Sequence, residues 1–406
     1  MSKRKHVFIC DATRTPHGRF FGSLKDFPAR ELGARVIRAL LHANTLSPEA
    51  VGGVFIGQVL MAGEGQNPAR HAALLGGLPH SCPAETVNKV CASSLAALRH
   101  ATNAIWLGEA NVMIAGGMEN MSRAPYLLWR CARKMGHRPL VDFTGTNVVS
   151  RDDYAYDSML YDGLTEPSVA ARPHMGVLAD LCARTHAISR EEQEAYANES
   201  IMRAHLAYIE GSTRLSMADL TLGDGKYFVH DEVLRHPNLS AMRESQPAFS
   251  ASGTVTAATS SQIADGASAL LLADTKGVKQ NTLKPLARIV DFVTFSGDPS
   301  WYTTAPAEAI RILLEKAKLS IVDIDLFEIN EAFAVVSLYA MKALAISHDK
   351  VNVWGGAIAI GHPLGASGTR IVGYLAHELS TLRKKRGIAV ACNGGGEAVA
   401  VLIEGV

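Results

Sequence analysis

The chain of 406 residues contains an internal repeat, which restricts its fold more than any other feature of the sequence. Residues 40–56 and residues 313–329 each read as an amphipathic helix, a Leu-Ser turn, a short polar link and a buried strand. The two segments match at a constant offset, so that Leu46 corresponds to Leu319, 273 residues later. Because helical and strand patterns alternate within each half, we expect the chain to fold as a duplicated, layered α/β sandwich.

A long insertion is predicted in the first half of the repeat. In the second half, strands over residues 387–392 and 398–403 are joined by a turn of three glycines. The corresponding strands of the first half are residues 112–117 and 266–272, so that about residues 118–263 are inserted at this turn. Long insertions at the functional edge of a scaffold usually carry binding residues or a lid.

Composition and charge exclude several classes of protein. Apolar residues make up 48% of the chain and charged residues 19%, which is typical of a globular protein. The net charge of +1 predicts no general attraction to nucleic acid or to a membrane surface. No apolar run reaches the roughly 20 residues that a membrane helix needs. The apolar stretch near the N-terminus is too short for a signal peptide.

The six cysteines show no CxxC pair and no regular spacing, which favours reduced thiols and a cytosolic location over disulfides. They are Cys10, Cys82, Cys91, Cys131, Cys182 and Cys392. Cys91 stands out because a helical pattern begins directly after it, and a helix N-terminus favours the thiolate. A buried structural thiol is the alternative, since most free cysteines are of this kind. Apart from Cys91 and Cys392, we expect the cysteines to be structural.

His362 lies in a turn between Gly361 and Pro363. The apolar residues 357–360 predict a strand that runs into this turn, and a helix is predicted after it. Pro363 restrains the turn, and the glycines beside it allow close approach of the backbone. The offset of the repeat carries Cys91 to position 364, two residues from His362, so the two turns are equivalent places in the two halves. A nucleophile and its base are the functional interpretation, and a histidine on a surface turn is the alternative.

Other segments place polar groups where predicted strands end. Cys392 precedes the glycines of residues 394–396, whose amides could bind an oxyanion. A hairpin that merely needs glycine is the alternative. Asn330 also follows a strand and could equally cap a helix. His174 and Met175, within the insertion, are more typical of packing than of chemistry. The Cys and His residues lack the spacing of a zinc site, and the chain has no GxGxxG or Walker loop.

Taken together, these segments resemble the thiolase family from residue 11 to the C-terminus. The motifs are Asn88-Lys89-Val90-Cys91-Ala92-Ser93, residues 115–122, residues 253–257, Asn330-Glu331-Ala332-Phe333, residues 355–368 and Cys392-Asn393-Gly394-Gly395-Gly396. The resemblance implies the thiolase fold, a duplicated five-layered α/β/α/β/α sandwich with an inserted loop domain. The predicted parts are an N-terminal half (residues 1–118 with 250–275), an inserted domain that binds coenzyme A (residues 119–249) and a C-terminal half (residues 276–406).

The resemblance also implies coenzyme A thioesters as substrates, and it implies catalytic roles. Cys91 would be the acylated nucleophile, activated by His362. With a water molecule bound to Asn330, His362 would also hold the thioester oxygen of the attacking acyl-CoA. Cys392 would move the proton at the α-carbon, and the amides of Cys91 and Gly394 would form an oxyanion hole. Contacts with coenzyme A or the acyl group fall on Leu164, His174, Met175, Arg235, Ser261 and Phe333. No metal or permanent cofactor is implied, since coenzyme A is substrate and product.

Four features depart from the usual family pattern. They are Ser94 in place of Gly, the run of residues 258–261 in place of a Gly-Asn run, Trp354 in place of Asn, and Glu397 after the last glycine. The 258–261 run and Trp354 resemble the β-subunits of trifunctional β-oxidation complexes. Asn330 and the His174-Met175 pair are instead similar to short-chain acetoacetyl-CoA thiolases. The preferred acyl chain length therefore stays open.

The sequence thus predicts a thiolase that interconverts two acetyl-CoA with acetoacetyl-CoA and coenzyme A, or cleaves longer 3-ketoacyl-CoA. The family resemblance implies a homodimer or homotetramer, and it leaves room for a partner subunit of β-oxidation. One alternative is a decarboxylating ketoacyl synthase on the same scaffold, although Cys392 argues against it. Another is an inactive, thiolase-like lipid carrier, against which the complete set of catalytic residues argues.

Overall fold

A computed structural model describes residues 5–127, 155–213, 217–218, 220–223 and 225–406. Cys131, which we expect to be structural, lies outside the described residues. Before the insertion, the elements are β1 (Val7–Arg14), β2 (Gly18–Arg19), α1 (Ala29–Ala43), β3 (Val54–Gly57), α2 (Pro68–Leu75), β4 (Ala84–Val87), α3 (Ser93–Leu107) and β5 (Val112–Asn120). Within the insertion they are β6 (Tyr126–Leu127), β7 (Tyr156–Asp157), α4 (Met175–Thr185), α5 (Arg190–Ile209), β8 (Leu220–Thr221), β9 (Tyr227–Phe228) and α6 (Leu239–Glu244).

After the insertion, the chain completes the first half and builds the second. The elements are β10 (Ala264–Asp274), α7 (Thr275–Gln280), β11 (Ala287–Ser296), α8 (Ala305–Ala317), β12 (Leu326–Ile329), α9 (Ala334–Leu344), α10 (Ala357–Ile360), α11 (Ser367–Thr381), β13 (Arg386–Asn393) and β14 (Glu397–Gly405). None of the helices in the described part of the chain is long and apolar enough to cross a membrane.

The strands bear out the duplicated α/β fold that the repeat predicts. Their order is β12-β13-β14-β11-β1-β10-β5-β3-β4, and β1 joins the two halves by pairing antiparallel with β11. Strand β1 pairs antiparallel with β10, and β11 pairs antiparallel with β14. Both pairs shift register at the same place, between Ile9 and Asp11 in one half and between Ile289 and Asp291 in the other. The two halves therefore share a bulge as well as a strand order.

The chain forms five layers, with one apolar cluster on each outer side of the strands and a third around the central helices. Helices α1 and α2 pack on the outer face of the first-half strands, while α8 and α9 pack on the outer face of the second-half strands. Helices α3 and α11 lie between the two sets of strands. Strand β13 shows why, because Ile388 and Val390 join the outer cluster while Ala389 and Ala391 join the central one. Strands buried on both faces read as the continuous apolar runs seen in the sequence.

The central helices α3 and α11 are the equivalent elements that carry the two predicted turns. Both contain 15 residues, and Cys91 and His362 each stand in the turn that leads into one of them. Their first turns touch, since the Thr369 amide donates a hydrogen bond of 3.0 Å to Ser94 Oγ. A side chain at Gly368 would lie only 2.7 Å from the Leu95 amide nitrogen. The serine that departs from the family pattern thus links the two helices.

The strand predicted over residues 357–360 is wrong, because these residues form the short helix α10. All four are buried, and a short apolar run does not distinguish a strand from a buried helix by its periodicity. The helix is fixed from outside the run. Glu331 accepts the Ile358 amide at 3.0 Å, and Ser200 Oγ accepts the Gly356 amide at 3.0 Å. Because Glu331 and Ser200 are both distant in the sequence from residues 357–360, the local sequence pattern could not indicate that these residues form a helix.

Candidate active site

The predicted site residues meet in one cavity of about 590 Å³. Cys91 comes from the first half, His362, Cys392 and Gly394 come from the second half, and all four line the cavity. All six residues expected to contact coenzyme A or the acyl group also line it, namely Leu164, His174, Met175, Arg235, Ser261 and Phe333. Asn330 is fully buried behind His362. The repeat and the insertion therefore converge on a single site.

The turn that carries Cys91 is strained and held from several sides. Val90 has φ of +48°, a left-handed conformation that costs a β-branched residue about 1–3 kcal/mol. Ser93 holds this turn, since its Oγ accepts the Lys89 amide at 2.8 Å and donates to the Val90 carbonyl at 2.6 Å. A Cβ at Gly57 would lie 2.5 Å from the Ser94 amide, so the turn is pressed against β3. The strain indicates that the position of Cys91 is imposed by its surroundings.

The Cys91 thiol is protonated at neutral pH. Its pKa is raised to about 12, chiefly by burial; the thiol's own amide acts in the opposite direction, and the negative charge of Glu119 makes a smaller contribution to the rise. The thiolate character expected from the helix N-terminus is therefore wrong for this structure, because Cys91 lies two residues before α3 begins and desolvation outweighs the dipole. Cys91 thus needs a base to become a nucleophile.

His362 is the base within reach of the cavity, and its surroundings fix its tautomer. Ser367 Oγ donates to the Pro363 carbonyl at 3.0 Å, so it accepts from His362 Nδ1 at 2.5 Å. Nδ1 therefore carries the proton, and the lone pair on Nε2 can accept one. Burial first, then the charges of Arg370 and His17, lower the pKa of His362 to about 3. The imidazole is neutral at physiological pH and can accept a proton.

Asn330 lies against Nε2 of this imidazole. Asn330 Nδ2 is 3.4 Å from His362 Nε2, and Asn330 Oδ1 accepts from Arg370 Nη2 at 3.4 Å. Helix capping, the alternative reading of Asn330, does not apply, because α9 begins at Ala334 and Phe333 occupies its cap position. The amide thus faces His362 with its donor end.

Cys392 is the next-to-last residue of β13 and is almost fully buried. Burial, followed by the nearby Cys91, raises the pKa of its thiol far above the ordinary value. Tyr302 lines the same cavity and donates to the Met175 carbonyl at 2.9 Å. Burial, followed by the thiols of Cys392, Cys182 and Cys91, raises its pKa. Sequence reasoning missed Tyr302, since it lies in no motif and no periodic segment.

The glycine turn after Cys392 is shaped both by conformation and by contacts. Gly395 and Gly396 have φ of +87° and +74°, which explains two of the three glycines as hairpin requirements. Glu166, a buried residue of the insertion, accepts the Gly395 amide at 2.6 Å. On the other side, Lys89 pairs with Glu397, which joins the Cys91 turn to the hairpin. Gly394 is left facing the cavity between these two clamps.

The insertion contributes an aromatic wall to the cavity. The His174 ring stacks on Phe249 with 4.8 Å between centroids, and Phe249 meets Phe333 edge-on at 5.7 Å. Burial lowers the pKa of His174, so it is a neutral ring here. Arg235 donates to the carbonyls of Ala257 and Ala258, each at 3.0 Å. This arginine therefore holds one of the unusual loops of the sequence in place.

Family comparisons agree with this geometry. The family model described as "Thiolase, N-terminal domain" matches residues 7–276, and "Thiolase, C-terminal domain" matches residues 283–405. The chain belongs to the thiolase family. Among curated thiolase relatives, an acetyl-CoA acetyltransferase of Chromobacterium violaceum is 42% identical over 405 residues, which cover 98% of this chain and 99% of the relative. A probable acetyl-CoA acyltransferase of Staphylococcus aureus (strain COL) is 41% identical and is covered to 98%.

Solved thiolase structures share the fold closely. The Acat5 thiolase from Ascaris suum in complex with coenzyme A has a TM-score of 0.89 at 36% identity, covering 99% of this chain and 100% of that one. Human mitochondrial 3-ketoacyl-CoA thiolase has a TM-score of 0.91 at 38% identity, covering 99% of both chains. Neither the decarboxylating synthase nor the inactive carrier finds support in these comparisons. Among the described residues, no group of three or more His, Cys, Asp or Glu could hold a metal ion.

Proposed function

We propose that this thiolase is an acyltransferase that passes an acyl group between coenzyme A and Cys91. The observation that carries the proposal is a cavity in which the neutral thiols of Cys91 and Cys392 lie with the unprotonated imidazole of His362. His362 Nε2 takes the proton of Cys91, the thiolate attacks the thioester carbonyl, and the carbon–sulfur bond to coenzyme A breaks. The product is a thioester of similar energy on Cys91.

Cys392 serves the second half of the reaction. As a protonated thiol it can give its proton to the departing coenzyme A sulfur. As the resulting thiolate it can remove a proton from the α-carbon of acetyl-CoA, and the carbanion then attacks the acyl group on Cys91. The carbon–sulfur bond to Cys91 breaks, and the departing Cys91 thiolate regains the proton held on His362 Nε2. The overall change converts two acetyl-CoA into acetoacetyl-CoA and coenzyme A, and thiolysis is the reverse. The amides of Cys91 and Gly394, two residues that line the cavity, are proposed to hold the oxyanion of the acyl-enzyme.

Substrate binding is assigned to the cavity wall. Leu164, His174, Met175, Arg235, Ser261 and Phe333 are proposed to contact coenzyme A or the acyl group. Most of them lie in the insertion, which supports reading residues 119–249 as the part that binds coenzyme A. The apolar, aromatic lining fits a short acyl group and the pantetheine arm. The relatives' names include both an acetyltransferase and a 3-ketoacyl-CoA thiolase, so the preferred length of the acyl chain has to be measured.

Steady-state kinetics with a series of 3-ketoacyl-CoA substrates tests the proposal. We expect parallel double-reciprocal plots, as in ping-pong transfer, and the highest kcat/KM for acetoacetyl-CoA. Malonyl-CoA should release no CO₂, because the proposed reaction forms its carbanion by removal of a proton. Rapid decarboxylation of malonyl-CoA without thiolysis of acetoacetyl-CoA would contradict the thiolase assignment and favour a decarboxylating ketoacyl synthase.

Assembly and location are proposed on separate grounds. By family resemblance, the chain is proposed to form a homodimer or homotetramer, with a β-oxidation subunit as a further possible partner. Light scattering on the eluting protein should give two or four times the mass of one chain. A cytosolic location is supported by the five free cysteines of the described residues, which suit a reducing compartment.

A further inference from the structure

Three charged side chains are buried behind Asn330. Glu328 and Glu378 have no exposed surface, and Arg370 is 2% exposed. Arg370 Nη1 lies 3.6 Å from a Glu328 oxygen, which is an ion pair but not a hydrogen bond. Among the described residues, none of the four carboxyl oxygens accepts a hydrogen bond of standard geometry, although the Trp354 amide lies near Glu378. Buried carboxylates without donors are costly and need an explanation.

A single shared proton supplies that explanation. Two carboxylates and one guanidinium would leave a net negative charge in a low-dielectric interior. A proton held between Glu328 and Glu378 turns their contact into an O–H···O hydrogen bond and leaves one negative charge to balance Arg370. In agreement, burial and Glu378 raise the pKa of Glu328 well above its ordinary value, with Glu331 adding to the effect. Burial also raises the pKa of Glu378 to about 8.

Arg370 connects this buried pair to the active site. Its Nη2 donates to Asn330 Oδ1 at 3.4 Å, while Asn330 Nδ2 faces His362 Nε2 at the same distance. An amide whose oxygen is held by a guanidinium can present only its NH₂ group to the imidazole. Tyr374 holds Arg370 in turn, since its ring centroid lies 5.5 Å from the guanidinium. Trp354, which departs from the family pattern, packs edge-on against Tyr374 at 5.8 Å.

We propose that Arg370 is a positioning residue of this thiolase site. Balanced by a Glu328–Glu378 pair that shares one proton, it orients the Asn330 amide toward His362. Its positive charge also disfavours the protonated form of His362. Only the part that concerns catalysis rests on the proposed function, since the shared proton is a property of the folded chain alone.

Infrared difference spectroscopy of the intact protein tests the shared proton. At neutral pH the wild type should show a protonated carboxylic acid band that is missing in Glu378→Gln, whose amide replaces the protonated acid. The control Glu308→Gln, which alters an exposed carboxylate paired with Arg311, should retain the band. Absence of any difference would show that both acids are ionised. If Glu378→Gln does not fold, Glu328→Gln takes its place, and failure of both amides to fold contradicts a one-proton pair.

Kinetics of Arg370→Gln test the positioning role. We expect kcat to fall about tenfold, the range of one lost hydrogen bond to a charged group. The acid limb of kcat/KM and of Cys91 alkylation should move to higher pH by about one unit, because the charge that disfavours protonated His362 is gone. The control Arg311→Gln, on the surface of α8, should match the wild type.

The outcomes separate this proposal from its neighbours. If Arg370→Gln had the kcat of the wild type and an acid limb of kcat/KM at the same pH, the positioning role would be refuted. A purely structural role of Arg370 would lower the melting temperature without moving the acid limb. If Arg370→Gln does not fold, Arg370→Lys decides. Lysine keeps the positive charge but lacks the guanidinium group that holds Asn330. We therefore expect kcat to fall while the acid limb of the kcat/KM profile stays at the same pH. An unchanged kcat would contradict the orienting role. A wild type without thiolase activity would refute the proposed function and leave the infrared result standing.

Discussion

At the scale of single residues, burial keeps the reacting groups of this site neutral. It raises the pKa of the Cys91 thiol to about 12 and lowers the pKa of His362 to about 3. Charge then arises only when a proton moves between them during the reaction. A low-dielectric cavity strengthens any dipole aimed at that transient charge, such as the amide of Gly394.

Replacement of His362 by asparagine should remove the base while keeping a polar side chain of similar size. We expect kcat/KM for acetoacetyl-CoA to fall about 10²–10⁴-fold, the usual contribution of a general base. Alkylation of Cys91 by iodoacetamide should slow as well, because its proton has no acceptor. The control His80→Asn changes an exposed histidine and should leave both rates unchanged. Equal rates in His362→Asn and the wild type would assign the base elsewhere.

The buried imidazole should also make stability depend on pH. Below about pH 6.5 the unfolded chain protonates His362, whereas the folded chain does not until about pH 3. The unfolded state then binds more protons, so the free energy of unfolding falls as the pH falls through this window. At pH 4.5 the loss from this one group is about 2–3 kcal/mol.

Urea denaturation between pH 7 and pH 4.5 measures this term. His362→Asn should show a shallower decline in the free energy of unfolding than the wild type. Identical slopes would mean that His362 titrates normally in the folded chain.

At the scale of elements, the site depends on how a few turns are clamped. The hairpin between β13 and β14 belongs to the second half, yet Glu166 of the insertion holds its Gly395 amide. The strained turn before α3 is joined to the same hairpin by Lys89 and Glu397. Since Gly394 lies between these contacts, the insertion should set the position of the oxyanion hole as well as bind substrate.

Glu166→Ala should therefore impair catalysis more than binding. We expect kcat to fall about 10–100-fold with little change in KM, since a displaced oxyanion donor is felt mainly in the transition state. Glu166→Gln keeps an oxygen acceptor for the Gly395 amide and should recover most of the rate. Steady-state kinetics measure kcat and KM, and stopped-flow experiments measure the rate of Cys91 acylation. An unchanged acylation rate in Glu166→Ala would show that the contact between Glu166 and the Gly395 amide does not position the oxyanion hole.

The repeat predicted the elements that position the site. The strand pair β5 and β10, opened by the insertion, corresponds to the hairpin of β13 and β14, and the turns of Cys91 and His362 precede the equivalent helices α3 and α11. The sequence failed where structure depends on distant contacts. Helix α10 is fixed by Glu331 and Ser200, and the buried Arg370 of α11 forms an ion pair with Glu328 of β12. No local pattern encodes such contacts.

At the scale of the whole molecule, duplication creates the site. The first half supplies the nucleophile Cys91, and the second supplies the base His362 and the second thiol Cys392. Helices α3 and α11 bring Cys91 and His362 together because they pack against each other between the two sets of strands. Neither half alone contains the proposed reaction. The division into residues 1–118 with 250–275, 119–249 and 276–406 remains a prediction about how these parts are bounded.

The proposed reaction requires that Cys91 carries the acyl group. Mixing the protein with acetoacetyl-CoA, quenching in acid and mapping the peptides by mass spectrometry tests it directly. We expect one acetyl group on the peptide that contains Cys91, lost in Cys91→Ser and retained in the control Cys82→Ala, whose thiol lies in the apolar core outside the cavity. An acetyl group on Cys392 instead, or turnover of acetoacetyl-CoA by Cys91→Ser at the wild-type rate, would contradict it.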